Sequence, residues 1–132
     1  MMIPVSVSDA KLWDLDTPEL YTCNIQIKKG KNTLDRDKKN FGFRWFSAEG
    51  VGTDAVLRLN GRRVMLRSAI SWGYFPVTGL IATPEMAEKQ VLTAKKLGLN
   101  MLNFHRCIGS PVVLEKTDEL GLLYYEEPGS FH

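Results

Sequence analysis

Three short clusters of chemically capable side chains recur in the second half of this chain. The first is Ser71, Trp72, Tyr74 and Phe75, the second Asn103, His105, Arg106 and Cys107, and the third Glu126, Glu127 and His132. Together they supply aromatic platforms, an amide, an imidazole, a guanidinium and carboxylates. Aromatic faces stack on sugar C–H surfaces while polar groups hold hydroxyls, so the mixture suits carbohydrate. His105-Arg106 is also a pair that could hold an anion, and His105 also reads as a hydrogen-bonded residue lining a sheet. Neighbouring residues on a strand point to opposite faces, so Glu126-Glu127 is not a general acid/base pair. Either glutamate also reads as a support that holds an arginine or backbone groups. Glycoside hydrolysis needs two facing carboxyls roughly 5–10 Å apart, and the sequence offers Glu127 no convincing partner. A nucleophile pair of Cys107 with His105 would rest on spacing alone.

These clusters need elements to position them. Ser68 to Trp72, Leu99 to Phe104 and Leu122 to Tyr125 are short apolar runs that read as strands, the last of them buried. Thr83-Pro84 opens a helix, with Thr as N-cap and Pro in the first turn. Ala87, Val91, Ala94 and Gly98 mark one face of it, and Gly98 closes it. Ser110-Pro111 opens a second helix that Gly121 closes. Strand, helix, strand, helix, strand predicts parallel pairing with right-handed crossovers, and sites in such folds lie at the C-terminal strand ends. Each cluster follows one strand.

The first half reads as β structure. Tyr21, Cys23, Ile25 and Ile27 alternate with Thr22, Asn24, Gln26 and Lys28, predicting a strand with one buried face. Residues 28–40 (KKGKNTLDRDKKN) read as a solvated turn or loop, with acidic residues interrupting any basic patch. Phe41 to Phe46 is strand-like, and Arg44 between Phe43 and Trp45 reads as a snorkelling side chain or a stacking group for a ligand. Val56 to Leu66 is a hairpin around Asn60-Gly61, a type I′ turn signal.

The chain has 132 residues, is 44% hydrophobic and 24% charged, and carries a net charge of +2. Those proportions are ordinary for a globular chain and exclude disordered, collagen-like and disulfide-scaffold classes. So small a charge gives no ground for nucleic-acid binding. No run of roughly 18 apolar residues predicts a membrane span, and no basic, then apolar, leader is visible near the start. Cys23 and Cys107 form no CxxC and no zinc site; they read as two small buried hydrophobes. GxGxxG, P-loop, HExxH and GxSxG motifs are absent, and no metal or organic cofactor is indicated.

Four segments together resemble glycoside hydrolase family 2, the group of β-galactosidases, β-glucuronidases and β-mannosidases. They are LWDLDTPELYTCNIQI (residues 12–27), Phe41-Gly42-Phe43-Arg44, Leu59-Asn60-Gly61-Arg62 with Val64-Met65-Leu66-Arg67, and the run from Asp118 to Leu123 with Glu126-Glu127-Pro128. The resemblance implies mixed α and β architecture. Residues 1–55 would be the C-terminal strands of an immunoglobulin-like β-sandwich. Residues 56–132 would be a βαβαβ portion of a (β/α)8 barrel, which needs roughly 250 residues to close. It implies a fragment of a retaining glycosidase whose acid/base and nucleophile glutamates follow strands four and seven, beyond residue 132. The chain alone is then expected to be inactive. Trp72, Asn103, His105, Arg106 and Glu127 are the implied substrate-binding candidates, and none is a catalytic candidate. The resemblance is compatible with a periplasmic or secreted parent.

The chain departs from the family after two strands. Ile70-Ser71-Trp72 stands where Asn-x-His is common, and Asn103-Phe104-His105-Arg106 where Arg-x-Ser-His is usual. Sugar specificity is therefore not carried over. Two rival readings remain. One is a non-catalytic carbohydrate-binding or protein-interaction module, supported by the aromatic content of residues 41–46 and 72–75. The other is assembly, since an open parallel sheet has free edges through which copies can pair.

Overall fold

The computed structural model describes residues 3–79 and 81–127. His132 and Pro128 lie outside them. Ten elements follow in chain order: β1 (Tyr21–Lys29), β2 (Asn32–Phe41), β3 (Phe46–Glu49), β4 (Val56–Leu59), β5 (Arg62–Arg63), β6 (Ser68–Ser71), α1 (Pro84–Lys96), β7 (Met101–Phe104), α2 (Pro111–Leu120) and β8 (Leu123–Glu126). They form three sheets. β1 and β2 make an antiparallel ribbon, β3-β4-β5 an antiparallel trio, and β6-β7-β8 a parallel sheet in sequence order.

The parallel unit follows its sequence signals closely. Thr83 caps α1, its hydroxyl accepting from the Met86 N–H, with Pro84 in the first turn. Ala87, Val91 and Ala94 are the buried residues of that helix, as their spacing predicts. Gly98 (φ +77°) and Gly121 (φ +75°) follow the helices in the left-handed conformation that ends them. The core joins that face of α1 to Leu102 and Phe104 of β7, Val113 of α2, Leu122 and Phe75. Asn60 (φ +52°) and Gly61 (φ +76°) both take positive φ between β4 and β5, the type I′ requirement.

The first half differs from expectation in three ways. β1 forms, but its Cys23, Ile25 and Ile27 face is exposed, because the sheet has only two strands and nothing lies over it. Most of the charged stretch after it is no loop: residues 32–41 are β2, joined to β1 by a two-residue turn at Gly30. Phe41–Phe46 is not one strand, since β2 ends at Phe41 and β3 begins at Phe46. In the second half, Leu122 is buried but precedes β8, and Tyr124 and Tyr125 within the strand are exposed. Both cysteines are free thiols; Cys23 is exposed, against expectation, whereas Cys107 is partly buried and packs against the core.

A second packing centre lies between the two halves. Trp13 is fully buried. Its Nε1–H donates to the Asp118 carbonyl on α2 (2.7 Å), and its backbone carbonyl accepts from Asn60 Nδ2 (2.8 Å). The Arg44 guanidinium lies 4.3 Å from the Trp13 ring centroid and pairs with the Asp118 carboxylate at 2.7 Å. Arg44 therefore neither snorkels nor waits for a ligand: it stacks on an internal tryptophan. Lys95 Nζ donates to the carbonyls of Leu15 (2.5 Å) and Gly121 (2.9 Å), tying the segment after Trp13 to the ends of both helices. No helix among the described residues is long and apolar enough to cross a membrane.

Candidate functional site

Strand parity sorts the candidate residues. Leu102 and Phe104 point into the core beneath α1 and α2. Asn103 and His105, one step out of phase, take the other face of the parallel sheet. The register places Ile70, Asn103 and Tyr125 side by side across that face. Ile70 and Tyr125 are 58% and 56% exposed, so among the described residues no helix covers it. Trp72 and Glu127 continue the row one step further on. The His105 N–H donates to the Ser71 carbonyl (3.0 Å), and the Glu127 N–H to the Phe104 carbonyl (3.2 Å), extending the ladder to the strand ends.

The structure brings all five candidates into one contact set, four through their side chains and Arg106 through its backbone. Glu127 Oε2 accepts from His105 Nδ1 at 2.9 Å and from the Arg106 backbone N–H at 3.1 Å. Glu127 Oε1 accepts from Asn103 Nδ2 at 3.3 Å. The Trp72 ring meets the His105 ring edge-on, with centroids 4.7 Å apart and an interplanar angle of 86°. Arg106 joins through its backbone N–H, and its φ of +57° is left-handed. The Arg106 backbone N–H leads, with the His105 and Asn103 bonds adding, in holding the Glu127 carboxyl below the usual glutamate range. Glu127 is thus a carboxylate, and its role here is to accept three hydrogen bonds.

Glu126 is turned elsewhere. Its Oε1 accepts from the Gly109 N–H at 2.9 Å. The adjacent glutamates therefore have separate partners, as alternation along a strand requires. Cys107 stands apart from nucleophile chemistry. Burial pushes its thiol up, and the Glu127 and Glu126 charges push it further, so the thiolate is disfavoured at neutral pH.

The remaining candidates separate. Phe75 is buried in the core, whereas Tyr74 is exposed. A shallow hollow beside β6 is lined by Ile70, Ser71, Trp72, Tyr74 and Gln90. Gln90 escaped the sequence reading. It reaches from α1 to donate to Ser71 Oγ at 3.0 Å, and its Oε1 is buried without a hydrogen-bond partner among the described residues. Asn103 Oδ1 is in the same condition. Tyr125 also escaped, although its register with Asn103 follows from parallel pairing. Among the described residues no group of three or more His, Cys, Asp and Glu side chains could hold a metal ion.

Several known proteins resemble this chain in sequence and fold. Residues 2–44 match the sequence profile of the family described as Glycosyl hydrolases family 2. A putative beta-glucuronidase of Formosa agariphila is 30% identical over 92% of this chain and 14% of its own length. A beta-galactosidase of Thermoanaerobacterium thermosulfurigenes is 36% identical over 94% of this chain and 17% of its own length. The crystal structure of Parabacteroides merdae beta-glucuronidase superposes with a TM-score of 0.79 at 28% identity, covering 91% of this chain and 14% of that one. The chain therefore spans less than a fifth of the length of these relatives, and over that span it is similar to them in sequence and, for the crystal structure, in fold.

Proposed function

We propose, from the kinship with glycosyl hydrolases family 2, that this chain is the part of a glycosidase that joins an immunoglobulin-like sandwich to the start of a (β/α)8 barrel. Residues 1–55 supply the last sandwich strands, and residues 56–132 the first three barrel strands with two helices. The whole enzyme hydrolyses O-glycosidic bonds with retention of configuration, and its substrate is a carbohydrate. Trp72, Asn103, His105, Arg106 and Glu127 form one wall of its sugar site. One observation carries this reading: these residues gather at the C-terminal ends of three parallel strands, on the sheet face that no helix covers. In a closed barrel that face and that end bound the active site.

The wall supplies binding without the chemical step. Trp72 offers an exposed aromatic surface for a sugar face, and the His105 imidazole a polar edge. Retaining hydrolysis needs two carboxyl groups about 5–5.5 Å apart across the scissile bond. Glu127 is committed to Asn103, His105 and Arg106, and Glu126 to Gly109. The catalytic pair comes from later strands of the whole enzyme.

The test is an aryl β-glycoside assay of the purified 132-residue chain beside a tryptophan-fluorescence titration with oligosaccharides. Sugar binding without turnover is expected. Turnover by the chain alone would refute the assignment of the catalytic pair. A second reading, a free-standing carbohydrate-binding module, is favoured by the exposed Trp72, Tyr74 and Tyr125. It is distinguished by whether the native reading frame continues to an Asn-Glu after a fourth strand.

A further inference from the structure

We propose that Glu127 is a positioning residue that locks the His105 imidazole as its Nδ1–H tautomer, leaving Nε2 to accept a hydrogen bond from a hydroxyl of a neutral glycoside. The inference rests on the sugar-site reading above and adds to it the polarity of one contact.

The geometry leaves little choice of tautomer. A carboxylate has no hydrogen to give, so the 2.9 Å contact between His105 Nδ1 and Glu127 Oε2 requires the hydrogen on Nδ1. In a neutral ring the other nitrogen is then a bare acceptor. The ring is fixed from several directions. Its backbone N–H is bound to the Ser71 carbonyl, the Trp72 ring stands edge-on against it, and Glu127 holds Nδ1. Glu127 is itself fixed by Asn103 Nδ2 and the Arg106 N–H, so it cannot swing away to another partner without losing both. Arg106, which supplies that N–H, takes a left-handed conformation that is rare outside glycine. His105 keeps 25% of its side-chain surface exposed, enough for a ligand to reach the ring.

The polarity has a consequence for ligand choice. An acceptor nitrogen suits a hydroxyl, which can donate. It gives nothing to a carboxylate or phosphate, which can only accept. The Glu126 and Glu127 charges at the end of β8 further disfavour an anion, and the Arg106 side chain at the same strand ends opposes them in part. The preference is therefore graded, and we set it at about tenfold, the cost of one mismatched polar contact.

Nitrogen-15 NMR of the labelled chain tests the tautomer without any sugar. At a pH where the ring is neutral, the Nδ1 signal should fall in the protonated range and Nε2 in the bare range. The Glu127→Ala variant should move the ring towards the Nε2–H form that free imidazole side chains favour. A wild-type spectrum with Nε2 protonated and Nδ1 bare overturns the proposal, whether or not the variant folds. The ligand arm compares methyl β-galactoside with methyl β-galacturonide, and the glucoside with the glucuronide; each pair differs only at C6. The neutral member should bind about tenfold more tightly and shift the Nε2 signal. Equal or tighter binding of the uronide overturns the stated preference. Binding of neither sugar class refutes the sugar-site reading and takes the ligand preference with it, while the spectrum still decides the tautomer.

Discussion

The Arg44 guanidinium meets the Asp118 carboxylate at 2.7 Å across 74 residues of sequence, while the same guanidinium lies over the Trp13 ring. This contact joins the β-rich first half to α2. Asp118 also receives the Trp13 indole N–H through its backbone carbonyl. Removing its carboxylate would leave Arg44, whose Nη1 already lacks a partner among the described residues, partly buried and uncompensated. Asp118→Ala should therefore destabilise the chain by about 1–3 kcal/mol, as loss of a charge-assisted hydrogen bond does. Urea denaturation measures it; an unchanged midpoint would show that the pair is a surface ornament.

Gly42 packs against the same tryptophan. A Cβ at that position would stand 2.7 Å from Trp13 Cβ. Gly42→Ala should cost about 1–3 kcal/mol through overpacking. Gly30, whose added Cβ would meet nothing within 4 Å but whose φ is +62°, is the contrasting site: strain there is confined to the backbone of one exposed turn. Thermal unfolding of Gly42→Ala should show the loss together with a change in Trp13 environment by near-ultraviolet circular dichroism.

Glu127 makes stability depend on pH in a defined direction. Its folded pKa is lowered, chiefly by the Arg106 N–H and then by the His105 and Asn103 bonds. Between that lowered value and the ordinary glutamate value, the unfolded chain binds more protons than the folded one. The contribution is complete above the ordinary value and is lost as pH falls through the folded one. The difference in urea midpoint between wild type and Glu127→Gln should thus shrink as pH falls below the ordinary glutamate range. A difference that stays undiminished well below the ordinary glutamate range would contradict the hydrogen-bond pattern.

The two thiols should report their surroundings. Cys23 is exposed on the ribbon, whereas Cys107 is partly buried, with its thiol pushed up by burial and by Glu127 and Glu126. A maleimide or disulfide reagent at neutral pH should modify Cys23 well before Cys107. Faster reaction at Cys107 would revive the Cys–His pair that the geometry argues against.

β6 and β8 each have one edge unpaired among the described residues. Free parallel edges invite pairing with another copy, and the uncovered Cys23, Ile25 and Ile27 face of β1 adds apolar surface. The isolated chain should self-associate as concentration rises, and light scattering will show it. A monomer throughout would mean that these edges are protected by their own side chains.

Much of the parallel unit was legible because its signals are local. A Thr-Pro start, a glycine stop and a face of Ala87, Val91 and Ala94 need no distant information. Strand parity then placed Asn103 with His105 and separated Glu126 from Glu127. β2 was not legible. A strand exposed on both faces needs no apolar alternation, and its register comes from β1 rather than from its own residues. The burial of β1 was misjudged because alternation shows that an apolar face exists, and says nothing of what covers it. Arg44 with Asp118, and the backbone twist at Arg106, depend on the meeting of distant segments and leave no local trace. At the site, residue types singled out groups that the fold brings into contact, but which glutamate holds which neighbour emerged only from the fold.

The Leu15 carbonyl receives Lys95 from α1 and lies so near Gly121 that any side chain there would collide with it, at 2.3 Å from the would-be Cβ. An early segment is thus seated on the far end of a late helix. During synthesis, residues 12–16 leave the ribosome long before Gly121 exists, and must wait without their native neighbours while α1 and α2 are made. The segment around Trp13 is consequently among the last parts to settle, and the interval before α2 emerges is when Trp13 stands open to chaperones and to misplaced partners.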